Sequence, residues 1–173
     1  EATKSIFLVT NGQEPDMIQK LADKDALPTQ LYLSTNAADY ESFLKINRPR
    51  YDDSWERWNR TLGMLATLDT RTVLRLTLIR GYNDNEKMIP AFASLLQKSN
   101  VHFVEIKSYM HIGRSTNRLE YSDMLEMDEI RSFTNKLVQE NSAFTVMDES
   151  EISRIVILQN KKRFMDRFIP AYC

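Results

Sequence analysis

The chain has 173 residues, 42% of them hydrophobic and 27% charged, with a formal net charge of -1. This is the size and make-up of one soluble domain able to bury a sizeable core, and no tract approaches the roughly eighteen apolar residues of a membrane span. The near-neutral balance excludes a uniformly basic surface, so contact with nucleic acid has to come from local arginine patches.

Short apolar runs alternate with segments of helical period, the pattern of βα units around a mostly parallel sheet, and five strands are expected. The first, Ile6 to Thr10, ends at Asn11-Gly12, and a helix follows from Pro15 with Ile18 and Leu21 inward. So early a strand, with no basic leader before it, predicts further sequence upstream. A second strand, Leu31 to Thr35, is followed by a charged loop through Asn47, Arg48, Pro49 and Arg50. Asp53 or Ser54 then caps a helix whose Trp55, Trp58, Leu62, Leu65 and Leu68 share one face. The third strand, Val73 to Ile79, precedes a helix from Glu86 to Gln97, and the fourth runs from Phe103 to Tyr109. A helix from Met127 to Glu140 presents Ile130, Phe133 and Leu137, a last strand spans Ile152 to Leu158, and the tail from Lys161 to Arg167 is basic.

Ligands of parallel βα folds bind beyond the carboxyl ends of the strands. The residues there are Thr10, Asn11 and Gly12; Ser34, Thr35 and Asn36; Arg80; and Lys107 to Met110. They are hydroxyl, amide and cationic groups suited to a polar small molecule, and no triad, HExxH, CxxC or P-loop pattern occurs. Asn11-Gly12 also reads as a plain turn, and Ser34 as a helix cap. Arg75 and Thr77 share one face of a strand, where a buried arginine needs an anion, either a ligand or Glu105. Lys107 ends an apolar strand, and poor solvation there favours the neutral amine that a Schiff base requires. Its other readings are a stem that carries the charge to solvent, or a pair with Glu105. Arg48, Arg50, Arg114 and Arg118 lie in loops, free either to meet phosphates or to stand in solvent. His102 and His111 are too isolated for a metal site, and the single cysteine, Cys173, excludes a thiolate cluster and a disulfide, which points to a reducing, cytoplasmic setting.

Six strings in order resemble landmarks of the tRNA 4-demethylwyosine synthases. They are Phe7-Leu8-Val9-Thr10-Asn11-Gly12, the run from Leu27 to Ser34, Arg75-Leu76-Thr77-Leu78, the run from Val104 to Met110, Gly113 to Leu119, and Asp148-Glu149-Ser150 with Ser153-Arg154. Within the fifth, Arg114 and Thr116 stand where the family has tyrosine and arginine. The resemblance spans residues 6 to 158 and implies an α/β fold: the later strands of a partial radical S-adenosylmethionine (SAM) (β/α)6 TIM-like barrel in residues 1–110, with a wyosine-type extension in residues 111–173 packed on it.

In that family a [4Fe-4S] cluster on a CxxxCxxC loop cleaves SAM, and the radical activates pyruvate for addition to N1-methylguanosine in phenylalanine tRNA. The resemblance therefore implies SAM contacts at Asn11, Ser34, Asn36, Arg75 and Thr77, a pyruvate Schiff base at Lys107, and tRNA contacts at Arg48, Arg50, Arg114 and Arg118. It also implies a flavodoxin-type reductase and no membrane. The cysteine loop and first strands are absent from this sequence, Cys173 cannot replace three ligands, and an N-terminal half is expected as partner. Two other readings stand beside this one: a degenerate RNA- or small-molecule-binding module, and an iron-independent Schiff-base lyase or aldolase built on Lys107.

Overall fold

The computed structural model describes residues 4–169, and Cys173 lies outside them. Along the chain come β1 (Phe7–Thr10), α1 (Pro15–Asp23), β2 (Gln30–Thr35), α2 (Tyr40–Asn47), α3 (Ser54–Met64), β3 (Arg71–Leu78), α4 (Ile89–Ser99), β4 (Phe103–Ser108), α5 (Met127–Glu140), β5 (Phe144–Ser150) and β6 (Ile155–Asn160). The strands form one six-stranded sheet in the order β1-β2-β3-β4-β6-β5. β1 to β4 are parallel, β6 runs antiparallel to β4, and β5 antiparallel to β6.

Side chains alternate across a strand, and this alternation makes two unlike faces. Leu31, Leu33, Leu74, Leu76, Val104, Ile106, Val156 and Leu158 lie in one core with Ile18, Trp58, Leu62, Phe92, Leu96, Ile130 and Leu137 from the helices. Facing the other way, in register, are Ser34, Arg75 and Glu105 in one row, and Thr77 and Lys107 in the next. α1 starts with proline at its first turn, where the missing N–H costs nothing. α5 opens with a reciprocal capping box between Glu126 and Glu129.

Several expectations need correction or completion. The charged loop begins at Arg48, after a helix that the reading lacks: Asp39 caps α2 by accepting from the Ser42 N–H at 2.8 Å, and Phe43 and Ile46 are buried. The final strand does not start at Ile152, which is fully exposed in the turn between β5 and β6, and Arg154 beside it has a φ of 51°. β5 went unread because it is an edge strand in which only Phe144 is buried, so its sequence carries no apolar alternation. Since β5 and β6 form a hairpin, β6 meets β4 antiparallel, and the sheet is mixed. Among the described residues the sheet is open, not a closed barrel. Asp53 stands at the N-cap of α3 but accepts from Arg57 Nε at 2.8 Å rather than capping with its side chain. The segment after residue 110 contributes α5, β5 and β6 to the same sheet and core.

His102 is a buried latch at the other end of the sheet. The Thr72 N–H donates to its Nδ1 at 3.1 Å, which needs a neutral ring, and burial, then Arg163 and Arg71, push its pKa down to about 4. Because the folded value lies below the unfolded one, this contribution to stability is complete above about pH 6.5 and is lost as pH falls toward 4. We expect it to be worth about 2–3 kcal/mol. Urea denaturation at pH 7.5 and at pH 4.5 should show the wild type losing more stability than His102→Gln; equal losses would refute the assignment.

Candidate functional site

A cleft of about 500 Å³ opens beyond the carboxyl ends of β2, β3 and β4. Ser34, Asn36, Arg75, Thr77 and Lys107 line its sheet side, and Lys45, Arg48 and Arg118 reach it from α2 and the loops. Tyr82, Tyr109, Ile46 and Leu119 supply apolar wall, and no carboxylate is among the lining residues. A second cavity of about 490 Å³ adjoins it, sharing Ser34, Asn36 and Arg48 and adding Asn11, Arg50 and Tyr51. Its one acid is Glu14, which accepts from the Tyr51 hydroxyl at 3.0 Å.

The rim is fixed by buried hydrogen bonds. Asn83 is fully buried: its Nδ2 donates to the carbonyls of Asn36 (2.8 Å) and Thr77 (2.9 Å), and its Oδ1 accepts from the Ile79 N–H at 2.6 Å. One amide thus ties the ends of β2 and β3 together. The Trp58 indole donates to the Ser34 carbonyl at 3.1 Å, and Asn36 Nδ2 donates to Asn47 Oδ1 at 3.1 Å. Gly12 is required: its φ is +75°, and a Cβ there would lie 2.7 Å from Leu33 Cδ1 and 3.1 Å from Trp58 Cδ1. The turn it makes presents Asn11, whose Oδ1 accepts from the Gln13 N–H at 3.2 Å.

At the centre of the open face Arg75 Nε lies 2.7 Å from Glu105 Oε1, and the guanidinium stands 4.5 Å over the Tyr32 ring. Burial pushes the Tyr32 hydroxyl pKa up, helped by Glu105 and opposed by Arg75. Glu105 is therefore the partner of Arg75 and not of Lys107, which is half-buried at the cleft wall.

Ser34, Asn36, Arg75, Thr77, Lys107, Arg48 and Arg118 are brought together as the sequence suggested, with Asn11 and Arg50 in the adjoining cavity. Arg114 lines neither and stands exposed on the turn Gly113–Asn117. Arg80 is occupied elsewhere, bound to Glu129 and to the carbonyls of Ser122 and Met124. Arg163 and Arg167 of the basic tail hold other groups too: Arg163 donates to the carbonyls of Leu65, Asn100 and Leu68, and Arg167 pairs with Asp148. The cleft residues not foreseen include Lys45 and Tyr82, which meet in a cation–π contact at 5.1 Å. An Asp39 cap followed by Phe43 and Ile46 at helical spacing was the signal for the first. Among the described residues no group of three His, Cys, Asp or Glu side chains is placed to hold a metal ion, so these residues do not fit a cluster.

Fold and cleft define an α/β domain with a cation-lined, carboxylate-free cleft at the carboxyl ends of its parallel strands. A family described as wyosine base formation matches residues 98–160. The S-adenosyl-L-methionine-dependent tRNA 4-demethylwyosine synthase of Methanocaldococcus jannaschii is 43% identical over 157 residues, covering 91% of this chain and 47% of that protein. Its human counterpart is 34% identical over 159 residues, covering 91% of this chain and 21% of that protein. A solved structure of TYW1 with a lysine-pyruvate adduct bound superimposes with a TM-score of 0.78 at 39% identity, covering 92% of this chain and 48% of that one. The chain belongs to the tRNA 4-demethylwyosine synthase family and spans just under half the length of the archaeal relatives it matches. No helix among the described residues is long and apolar enough to cross a membrane.

Proposed function

We propose that this chain is part of an enzyme that forms 4-demethylwyosine from N1-methylguanosine and pyruvate in phenylalanine tRNA, and that its cleft carries part of the SAM, pyruvate and tRNA surfaces. The observation that carries this is the cleft itself: cations, hydroxyls and an apolar wall converge with no lining carboxylate. Pyruvate, the carboxylate end of SAM and an RNA phosphate are all anions, and an apolar wall suits a base. Ser34, Asn36, Thr77 and Asn11 are placed to hydrogen-bond the amino-acid and ribose groups of SAM, while Arg48, Arg50 and Arg118 face phosphate, and Arg114, exposed on the turn Gly113–Asn117, is read as a further phosphate contact outside the cleft. Arg75, already held by Glu105, serves the cofactor mainly by positioning that face.

When bound, SAM and a [4Fe-4S] cluster would supply the radical chemistry. Strands β1 to β4 are read as the later strands of a partial radical SAM barrel, and the segment after residue 110 as a wyosine-type extension that adds β5 and β6 to the same sheet. β1 supports this reading, since it is the sheet edge and its Phe7 and Val9 are about half exposed. An unpaired apolar edge of this kind calls for further strands, here those of the cluster-bearing half. A flavodoxin-type reductase would be its electron donor.

Lys107 is the candidate for the pyruvate Schiff base. Incubation of the chain with pyruvate and borohydride should trap an adduct on Lys107 by peptide mass spectrometry, and Lys107→Arg should abolish it. Trapping on another lysine, unchanged in Lys107→Arg, would move the role elsewhere.

The function is tested by supplying the chain together with the cluster-bearing half of an archaeal relative, SAM, pyruvate, a reductant and phenylalanine tRNA carrying N1-methylguanosine. Appearance of 4-demethylwyosine in the nucleoside digest, beyond either half alone, is the expected result. Binding of the tRNA without product would favour the degenerate binding module, and failure to bind it would overturn the reading.

A further inference from the structure

Beyond β4 three aromatic rings run from the cleft wall to the surface. Tyr109 is buried and lines the cleft, and its hydroxyl lies 3.2 Å from His111 Nδ1. The Tyr109 and His111 rings meet edge to face with centroids 6.3 Å apart, and His111 meets Tyr121 in the same way at 6.3 Å. Tyr121 is 67% exposed, and Ile112, from the same loop, is 65% exposed. Large side chains left in water on a loop that borders a cationic cleft contribute little to the fold and suit a partner.

Tyr121 also stands on a fixed piece of backbone. It begins a short turn, Tyr121–Asp123, closed by a reciprocal capping box between Glu120 and Asp123. Arg80, at the end of β3, bolts that turn down: its N–H donates to the Asp123 carbonyl and its Nε to the Ser122 carbonyl, each at 2.9 Å. The carboxylates of Glu120 and Asp123, which flank Tyr121 in the chain, thus accept from backbone N–H groups, which lessens their repulsion toward an approaching phosphate. Arg114 and Arg118 are exposed on the intervening turn.

From this arrangement we infer that Tyr121, backed by His111, is a stacking platform for an unpaired RNA base next to the nucleotide that enters the cleft. The inference rests on the reading of the cleft as facing tRNA and adds to it the partner's state: single-stranded and unstacked at two successive positions. Proteins that bind single strands combine a cationic groove along the backbone with aromatic rings under the bases, because every base offers a π-face whereas a duplex hides it. A protein partner would match the apolar surface equally well. RNA is favoured by the absence of any lining carboxylate and by Lys45, Arg48 and Arg118 beside the ladder.

The test uses the full chain and a stem-loop RNA with 2-aminopurine beside the loop guanosine, followed by anisotropy and by quenching of the base. Tyr121→Ala should weaken binding about 5- to 100-fold and abolish the quenching, while leaving the slope of affinity against salt unchanged. Tyr121→Trp should retain both, and Arg118→Ala should instead flatten the salt slope by about one. Both tyrosine variants should melt like the wild type, since the ring is exposed. If Tyr121→Ala binds and quenches as the wild type does, the platform is refuted while the cleft reading stands. If the wild type binds no RNA at low salt, the reading of the cleft falls and takes the platform with it.

Discussion

Glu105→Ala is expected to lower the stability of the fold by about 2–4 kcal/mol, because it leaves a partly buried guanidinium without its counter-ion. Glu105 is 7% exposed in the middle of β4, and Arg75 opposite it on β3 approaches with Nε at 2.7 Å and Nη2 at 3.3 Å. The pair is not there because ion pairs stabilise more than apolar contacts do. An apolar replacement of both partners is often neutral or better, whereas removal of one is costly. Arg75→Leu with Glu105→Leu should accordingly recover most of what Glu105→Ala loses, as measured by urea denaturation. A double variant as unstable as the single one would mean that packing around Tyr32, and not charge, sets the cost. In the double variant the open face also loses its fixed row of polar groups, so SAM affinity in the assembled enzyme should fall even though stability is recovered.

Removal of Lys45, Arg48 and Arg118 together, each to alanine, should reduce affinity for phenylalanine tRNA on the order of 10²- to 10³-fold at about 100 mM salt. Their effect is electrostatic and non-specific in sequence, so the loss should appear equally with unmodified RNA. The slope of log affinity against log salt should flatten by about two to three, close to one for each phosphate contact removed. Arg60→Ala on α3 serves as a control, since Arg60 pairs with Asp16 at 2.7 Å on the helical side of the sheet. Filter binding at about 50 and about 200 mM salt distinguishes the cases. An unchanged slope would show that RNA does not reach this cleft.

The βα alternation of the first two-thirds was legible because buried strands and amphipathic helices write their periods into the sequence. Trp58, Leu62 and Leu65 lie in the core that their spacing predicted, and Ile130, Phe133 and Leu137 likewise. The same reasoning failed where a segment faces water. β5 buries one residue, and Ile152 looked like core yet sits in a turn. α2 is short and carries Lys45 and Glu41 among its apolar positions, so its pattern was masked by charge.

By itself, the sequence determined the family, the strand ends around which the cleft forms, and most residues that line it, since all three depend on local order along the chain. Only the tertiary structure decided which cations remain available there. Arg80, Arg163 and Arg75 are each taken by partners far away in sequence, Glu129, Leu65 and Glu105, while Lys45 joins the cleft from a helix not foreseen. The reason is physical: a cation's role is set by the nearest carboxylate or carbonyl in space, and nothing in the order of residues fixes that distance.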